Sequence, residues 1–337
     1  MLAAIFKEPY SLEMNDYPLS KLEKKDLLIK VEVCGLCGTD FHIYKGESYS
    51  KPPVIPGHEF VGIVVDKGIE TNGINIGDRV AIDPNIYCGE CKYCRTGKIN
   101  YCENLRALGV SMNGGFAEYS IVPLSQVHLL PKDFSFNSAA FSEPLSCCVR
   151  GMDQASIKYG ENLVILGSGT IGLLMLQLAK ISGAGKIIVI EPVVEKRSIA
   201  LQLGADYALD SNSPELLNQV ADLTSGGADV VIECVGKSSA ADLAVKITKK
   251  GGRVVVFGLS EKSDYLNLNL QELFLKELTI KGSFLNPFTF SRAVDLLINN
   301  KISVEKLNPV VTKLNDLEKI LSQPRNLTVI KYQITPN

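Results

Sequence analysis

Along the middle of the chain, from about residue 150 to 284, apolar runs alternate with stretches of helical periodicity. The runs at 162–166, 186–190, 207–209, 229–234, 253–257 and 278–281 predict strands. Several are almost unbroken Val, Ile and Leu, the composition of parallel strands covered by helices on both faces. Residues 1 to about 145 have a different texture. There Gly and Pro interrupt short β-like runs at 27–33, 61–65, 79–82 and 116–122, a pattern that predicts a smaller, irregular, β-rich domain. Beyond 285 the pattern gives a helix near 291–299 and a strand near 328–334. No internal repeat or low-complexity segment interrupts this order.

Composition narrows the picture without changing it. The chain has 337 residues, room for two domains at roughly 100–200 residues each. With 46% hydrophobic and 21% charged residues it lies in the ordinary globular range, which excludes wholesale disorder. Its 35 Lys and Arg against 37 Asp and Glu argue against a nucleic-acid or polyanionic partner. Lys7, Glu8 and Pro9 cut short the apolar start, so no secretion signal is expected. The longest uncharged run, 162–179, approaches the length of a membrane span. Its Gly, Ser, Thr and Gln residues suit a strand, a turn and a helix better. The expectation is a soluble, cytoplasmic protein with no membrane partner.

Cysteine placement adds chemistry. Cys88, Cys91, Cys94 and Cys102 crowd into one short stretch, and clustered cysteines in a large chain without a secretion signal point to a metal before disulfides. Four thiolates close a tetrahedral shell around zinc and leave no position for water or substrate, so such a site is structural. Four unligated surface thiols would invite oxidation. An iron–sulfur cluster is the chemical alternative, since it also accepts a tight Cys-x2-Cys-x2-Cys beginning.

A second donor set lies upstream. Cys37, with His58 and Glu59 of Gly57-His58-Glu59, offers sulfur, nitrogen and oxygen, the mixture of a catalytic zinc with an open fourth position. Spacing by itself leaves a metal ligand and a structural histidine equally open. Cys34 also pairs with Cys37 in a Cys-x2-Cys spacing, but it follows the strand-like Val31-Glu32-Val33, where a buried structural thiol fits better. Glu143, in Ser142-Glu143-Pro144, is either a surface helix cap or a carboxylate reaching into a site.

From Asn162 a strand runs into Gly167-Ser168-Gly169-Thr170-Ile171-Gly172 and a long apolar helix. Those glycines permit a tight turn, close approach of a pyrophosphate and close helix–strand packing, while the helix N-terminus stabilises the anion. Glu191 ends the next strand about twenty residues on, where an acid accepts hydrogen bonds from an adenosine ribose and repels a 2′-phosphate. NAD is therefore expected over NADP. Lys196 and Arg197 offer positive charge that softens this preference.

In combination the motifs resemble the zinc-containing medium-chain dehydrogenase (alcohol dehydrogenase) family, and within it the polyol and sorbitol dehydrogenase branch. CGLCGTDFH at 34–42, PGHEFVG at 56–62, GDRV at 77–80, the four-cysteine lobe, GGFAEY at 114–119, SEP at 142–144 and GSGTIG at 167–172 carry the resemblance over essentially the whole chain. It implies an α/β protein in which a GroES-like, β-rich catalytic domain over 1–150 is completed by 285–337. A doubly wound Rossmann domain over 151–284 is inserted between these parts. Two zinc ions are implied, one structural on Cys88, Cys91, Cys94 and Cys102, one catalytic on Cys37 and His58. Glu59 and Glu143 would supply the remaining oxygen ligands, exchanging with water during turnover. Thr39 matches the hydroxyl that receives the substrate proton, His42 the imidazole that passes it to solvent, and Asp40 a support for the site. Ile171, Phe257, Gly258, Leu259, Ser283 and Phe284 should line the cofactor groove, with Cys147 and Cys148 left to helix packing.

Glu143 stands where alcohol-dehydrogenase-type members carry a cysteine. That difference directs the resemblance toward oxidation of a secondary alcohol of a polyol, sugar or sugar phosphate to the ketone, and the reverse reduction. L-Threonine 3-dehydrogenase competes, because CGTDFHIY at 37–44 suits that group too. Against it, Asp83-Pro84-Asn85-Ile86-Tyr87 lacks the histidine those enzymes usually carry there. A non-catalytic NAD-binding or redox-sensing protein is the reading from another class, and the complete donor and relay sets argue against it. Relatives of this kind are commonly homodimers or homotetramers.

Overall fold

The computed structural model describes residues 1–47 and 50–336. The chain divides into two units, Met1–Ser146 with Pro287–Asn337, and Cys147–Asn286.

In the first unit β1 (Leu2–Glu8) and β2 (Ser11–Asp16) form an antiparallel hairpin. β3 (Asp26–Leu36) follows, with Leu27, Ile29 and Val31 buried and the residues between them less so, the period of two that places one face on a core. It runs straight into α1 (Gly38–Tyr44). Next come β4 (Glu59–Lys67), β5 (Arg79–Ile82), β6 (Asn85–Ile86), α2 (Lys92–Arg95) and β7 (Arg106–Ala107). β8 (Tyr119–Pro123), β9 (Val127–Leu129) and α3 (Phe136–Ala139) complete this stretch, and α4 (Ser142–Ala155) begins in it and continues into the second unit. Phe6, Leu27, Ile29, Phe60, Ile82, Leu108 and Phe116 belong to one buried cluster. Each such side chain contributes about 1.5–3 kcal/mol by leaving water.

The second unit alternates strand and helix. β10 (Leu163–Leu166), α5 (Thr170–Ile181), β11 (Ile187–Ile190), α6 (Val194–Gln202) and β12 (Tyr207–Leu209) form its first half. α7 (Leu216–Thr224), β13 (Ala228–Glu233), α8 (Ser238–Ile247), β14 (Thr248–Val256), α9 (Leu270–Lys276) and β15 (Thr279–Gly282) form the second. The strands make a six-stranded sheet in the order β12-β11-β10-β13-β14-β15, parallel throughout. Every residue of β10 and β11 is buried, which explains their unbroken apolar composition. Strand order reverses between β10 and β13, and in such sheets ligands bind beyond the carboxyl ends at that point.

The chain then returns to the first unit through α10 (Phe290–Ile298), β16 (Val310–Lys313), α11 (Leu317–Ser322) and β17 (Tyr332–Thr335). The seven-stranded sheet has the order β16-β17-β3-β4-β5-β9, with β8 also paired to β3.

Three strands start elsewhere than their sequence patterns predict, β8 among them at Tyr119 and not at 116. β14 begins at Thr248 instead of 253, because Thr248 pairs with Ala228 across a register shift that absorbs the polar Lys249–Gly252 segment. β17 begins only at Tyr332, so the expected run from 328 is loop for its first half.

Candidate active site and metal centres

The four-cysteine lobe surrounds α2. The Sγ atoms of Cys88, Cys91, Cys94 and Cys102 lie within 4.8 Å of one another. Cys91 to Cys94 and Cys88 to Cys102 are each 3.5 Å, and Cys88 to Cys94 is 4.0 Å. Four sulfurs at about 2.3 Å from a tetrahedral zinc would be ~3.8 Å apart, so the set matches that shell. Backbone N–H groups already donate to these sulfurs, from Cys88 to Cys102 Sγ at 3.3 Å and from Asn104 to the same sulfur at 3.4 Å. Donors of this kind favour thiolate. The amides of Cys94 and Glu103 lower Cys91 to about 6, while burial pushes Cys94 up to about 12. A cation bound by all four sulfurs would remove that disparity by taking each as thiolate.

Cys37, His58 and Glu59 also bring their donor atoms within 4.8 Å of one another. Cys37 caps the N-terminus of α1, and the Asp40 carboxylate reaches back to accept the Cys37 N–H at 2.8 Å. Asp40 Oδ1 lies 3.6 Å from His58 Nδ1, close enough for charge interaction and too far for a hydrogen bond. Both atoms are buried with no hydrogen-bond partner among the described residues. Burial works against a charged His58. The Asp40 carboxylate and the Cys37 sulfur outweigh it and hold the imidazole well above its ordinary value. This pocket attracts a positive charge, and a divalent cation on S, N and O donors meets that demand.

Glu59, the first residue of β4, is buried and bonded to the buried ammonium of Lys331. Lys331 is absent from the sequence reading because nothing near it in sequence carries chemistry. It meets Glu59 only through the β4-β3-β17 ladder, in which Glu59 pairs with Gly35 and Gly35 with Gln333. Glu143 lies in the first turn of α4 and is buried, which answers the sequence alternative of a surface cap. It is not among the residues whose donor atoms share the Cys37 cluster.

Around this pocket, Thr39 Oγ1 lies 3.8 Å from Cys37 Sγ. His42 is partly exposed, with Nδ1 2.8 Å from Glu47 Oε2, a partner the sequence did not reveal. Cys34 is fully buried and its thiol is pushed up by that burial, consistent with an inert structural group. Cys148 is likewise buried, its sulfur 3.8 Å from the Ile171 carbonyl.

In the second unit, the loop between β10 and α5 has the geometry of a phosphate cradle. Gly167 has φ +92°, and a Cβ on Gly172 would overlap its carbonyl. A Cβ built on Gly169 would meet nothing within 4 Å, leaving open space beside the loop. Glu191 is buried, and its carboxylate accepts the Ser168 N–H at 2.8 Å and the Val193 N–H at 3.1 Å. It is tied to the glycine loop, not solvated. Arg197 donates to the Glu191 and Pro192 carbonyls and lies 3.4 Å from Asp210. The positive charge of Arg197 is therefore already matched; Lys196 precedes it on α6. Ser168 and Ser283 hydroxyls and one Glu233 oxygen are buried without hydrogen-bond partners among the described residues. They follow or end β10, β15 and β13, at the carboxyl edge where a dinucleotide would bind. Glu233 accepts the Val235 and Gly236 amides, and its backbone carbonyl accepts those of Phe257 and Gly258. This residue, unremarked in sequence, ties the Val235–Gly236 turn through its side chain and the Phe257–Gly258 segment through its backbone carbonyl. Ser283 and Phe284 follow β15, with Phe284 and Leu259 exposed.

Residues 23–132 match the alcohol dehydrogenase GroES-like domain, and residues 170–299 match the zinc-binding dehydrogenase domain. The chain belongs to the zinc-binding alcohol dehydrogenase family. D-arabinitol dehydrogenase 1 of Uromyces fabae is 33% identical over 100% of this chain and 97% of its own length. An L-threonine 3-dehydrogenase of Pyrococcus abyssi is 35% identical over 91% of this chain and 88% of its own. Among solved structures, a zinc-binding dehydrogenase of Sinorhizobium meliloti 1021 bound to NADP superposes with a TM-score of 0.96 and 37% identity, covering 99% of each chain. Membership makes this chain an oxidoreductase with a GroES-like and a Rossmann-type part. Among the described residues, no helix is long and apolar enough to cross a membrane.

The two donor sets predict a division of labour. Cys91→Ser should lower Tm by roughly 5 °C or more, since about 1 kcal/mol moves the midpoint of domains of 150–250 residues by ~2–4 °C. Cys37→Ser should largely spare Tm and reduce kcat by about 100-fold or more, beyond the ~10–100-fold typical of losing a group that merely supports a ligand. Thermal unfolding and turnover of both variants check this; equal losses in both would contradict it.

Proposed function

We propose that this dehydrogenase oxidises a secondary alcohol of a polyol, sugar or sugar phosphate to the ketone with NAD, and catalyses the reverse reduction. The observation that carries the reading is the Cys37–His58–Glu59 set, half-buried at Cys37 and buried at the other two, whose mixed donors suit an ion with an open position. When bound, zinc there would lower the pKa of a substrate hydroxyl, and the nicotinamide would accept the hydride.

The chain's own groups do the rest. Cys37 and His58 would hold the ion with Glu59 as oxygen donor, and Glu143, outside that cluster, is proposed as the oxygen donor that exchanges at the remaining position. Asp40 fixes the Cys37 backbone and faces His58. Thr39, two residues beyond Cys37, receives the proton released from the substrate hydroxyl. His42 passes it to solvent, oriented by Glu47. Gly167, Gly169 and Gly172 admit the pyrophosphate, and Glu191 accepts the ribose hydroxyls while keeping its bonds to the loop. Ile171, Phe257, Gly258, Leu259, Ser283 and Phe284 line the nicotinamide side.

NAD is the proposed cofactor, because the Glu191 charge repels a 2′-phosphate and Arg197 is already engaged. The NADP bound to the S. meliloti relative keeps NADP as the second choice. Two zinc ions per chain are proposed, the second on Cys88, Cys91, Cys94 and Cys102. The polyol reading draws support from the arabinitol dehydrogenase. L-Threonine is the second substrate reading, favoured by the equally similar P. abyssi enzyme. A homodimer or homotetramer in the cytoplasm completes the proposal; β15, an edge strand with an open ladder, offers a surface for a second copy.

Purified protein with NAD should generate absorbance at the NADH band with hexitols, pentitols or their phosphates more readily than with L-threonine, and a chelator should abolish it. Preference for threonine would move the enzyme to the second reading.

Glu191→Ala should reduce the NAD-to-NADP ratio of kcat/KM about tenfold or more, the value of lost hydrogen bonds to a charged group. Glu191→Gln keeps a carbonyl for only one of the two loop amides, so its comparison with Glu191→Ala separates loss of charge from loss of the whole side chain. A constant ratio in both variants would remove Glu191 from the ribose.

His42→Ala should slow turnover most at lower pH, where hydroxide is scarce, by up to about 10²–10⁴-fold and less where water substitutes. Added imidazole should partly restore the rate. A histidine used only for packing would lower Tm and ignore the added base.

A further inference from the structure

The Lys331–Glu59 pair is buried on both sides, with the two side chains only 4% and 1% exposed. A buried lysine requires a reason, because taking an ammonium out of water costs several kcal/mol before any partner is counted. Its surroundings supply one. The Glu59 carboxylate lies directly against the Lys331 ammonium. The ammonium holds one oxygen of Glu59, Oε2. Sheet register builds the contact. Glu59 pairs with Gly35 on β3, Gly35 pairs with Gln333 on β17, and Lys331 lies two residues before Gln333. A Cβ on Gly35 would overlap Glu59 Oε2 and lie 2.9 Å from Lys331 Cε. Glycine at 35 therefore leaves the space in which the pair forms.

We infer that Lys331 is a positioning residue that restrains Glu59 as a metal ligand, keeping a coordination position exchangeable for the substrate oxygen. This rests on the proposed metal centre at Cys37 and His58. With Oε2 engaged by an ammonium, Glu59 presents a single oxygen of reduced negative charge to the ion. Without Lys331 the carboxylate is free to bind with full charge through either oxygen, holding the ion tighter and filling the position that substrate needs. Ordinary support of a ligand predicts the opposite sign: removing it loosens the metal.

The test replaces the more labile ion of the purified holoenzyme by Co²⁺ and follows its visible spectrum and its release to a chelator. Lys331→Met should change the cobalt bands and slow release by about 10–100-fold, the range over which groups behind a ligand act. Lys331→Arg should resemble wild type. In Glu59→Gln, which has no carboxylate to restrain, adding Lys331→Met should leave release within about threefold of the single variant. If Lys331→Met does not fold, Lys331→Gln carries the same comparison. Unchanged spectra and release in a folded Lys331 variant, or faster release, would overturn the assignment. The outcome is separable from the proposed reaction: cobalt that responds as expected in a protein oxidising no alcohol would count against the reaction alone.

Discussion

The antiparallel ladder joining β4, β3 and β17 is the constraint on which the metal pocket depends. Backbone pairing places Glu59, Gly35 and Gln333 in one row. Paired residues of a sheet point to the same face, so this row commits Glu59 and Lys331 to one side of β3. β3 then ends at Leu36 and delivers Cys37 to the start of α1. A slip of one residue would turn Glu59 to the other face and separate it from Cys37. The buried alternation of Leu27, Ile29 and Val31 resists such a slip, because it would carry three apolar side chains out of the core. Hydrophobic patterning remote from the metal pocket thus holds its register.

Charge balance explains why so polar a pocket is tolerated inside the sheet domain. The Cys37 sulfur and the Asp40 and Glu59 carboxyl groups crowd around His58, and the chain sets Lys331 against them. A divalent ion there would supply the positive charge these donors lack. Asp40 and the Cys37 sulfur outweigh burial and favour charge on His58. The four-cysteine lobe solves the same problem differently. It lies near the surface and spreads its negative charge over backbone N–H donors, so it needs no buried lysine.

Much of this was legible in the sequence where local chemistry and periodicity coincide. Cys88, Cys91, Cys94 and Cys102 are close in the chain and close in space. The strands β10, β11 and β13 appear as apolar runs because both their faces are covered. The glycine loop and Glu191 obey a short-range geometry that spacing conveys. What escaped depends on register between distant strands. Lys331 is separated from Glu59 by 272 residues, and in sequence it is one lysine inside the run expected as a strand at 328–334. Glu233 escaped for a different reason: its work is with backbone amides, which leave no trace in residue type. Glu143 shows the converse limit, since its motif was plain while its depth in α4 depended on packing.

Glu191 joins two requirements usually considered apart. Its carboxylate accepts the Ser168 amide of the glycine loop, so the acid that would recognise the ribose also sets the shape of the pyrophosphate cradle. Each carboxylate oxygen has spare lone-pair capacity after accepting one backbone N–H, which leaves it able to accept a ribose hydroxyl without giving up the loop. Arg197 adds a third tie by gripping the Glu191 and Pro192 carbonyls. Its remaining charge faces Asp210, not open solvent. A 2′-phosphate would therefore meet a fixed negative group whose removal loosens the loop and a positive group that must first leave its partner. If Glu191 recognises the ribose, a change at position 191 cannot alter charge without also disturbing the cradle.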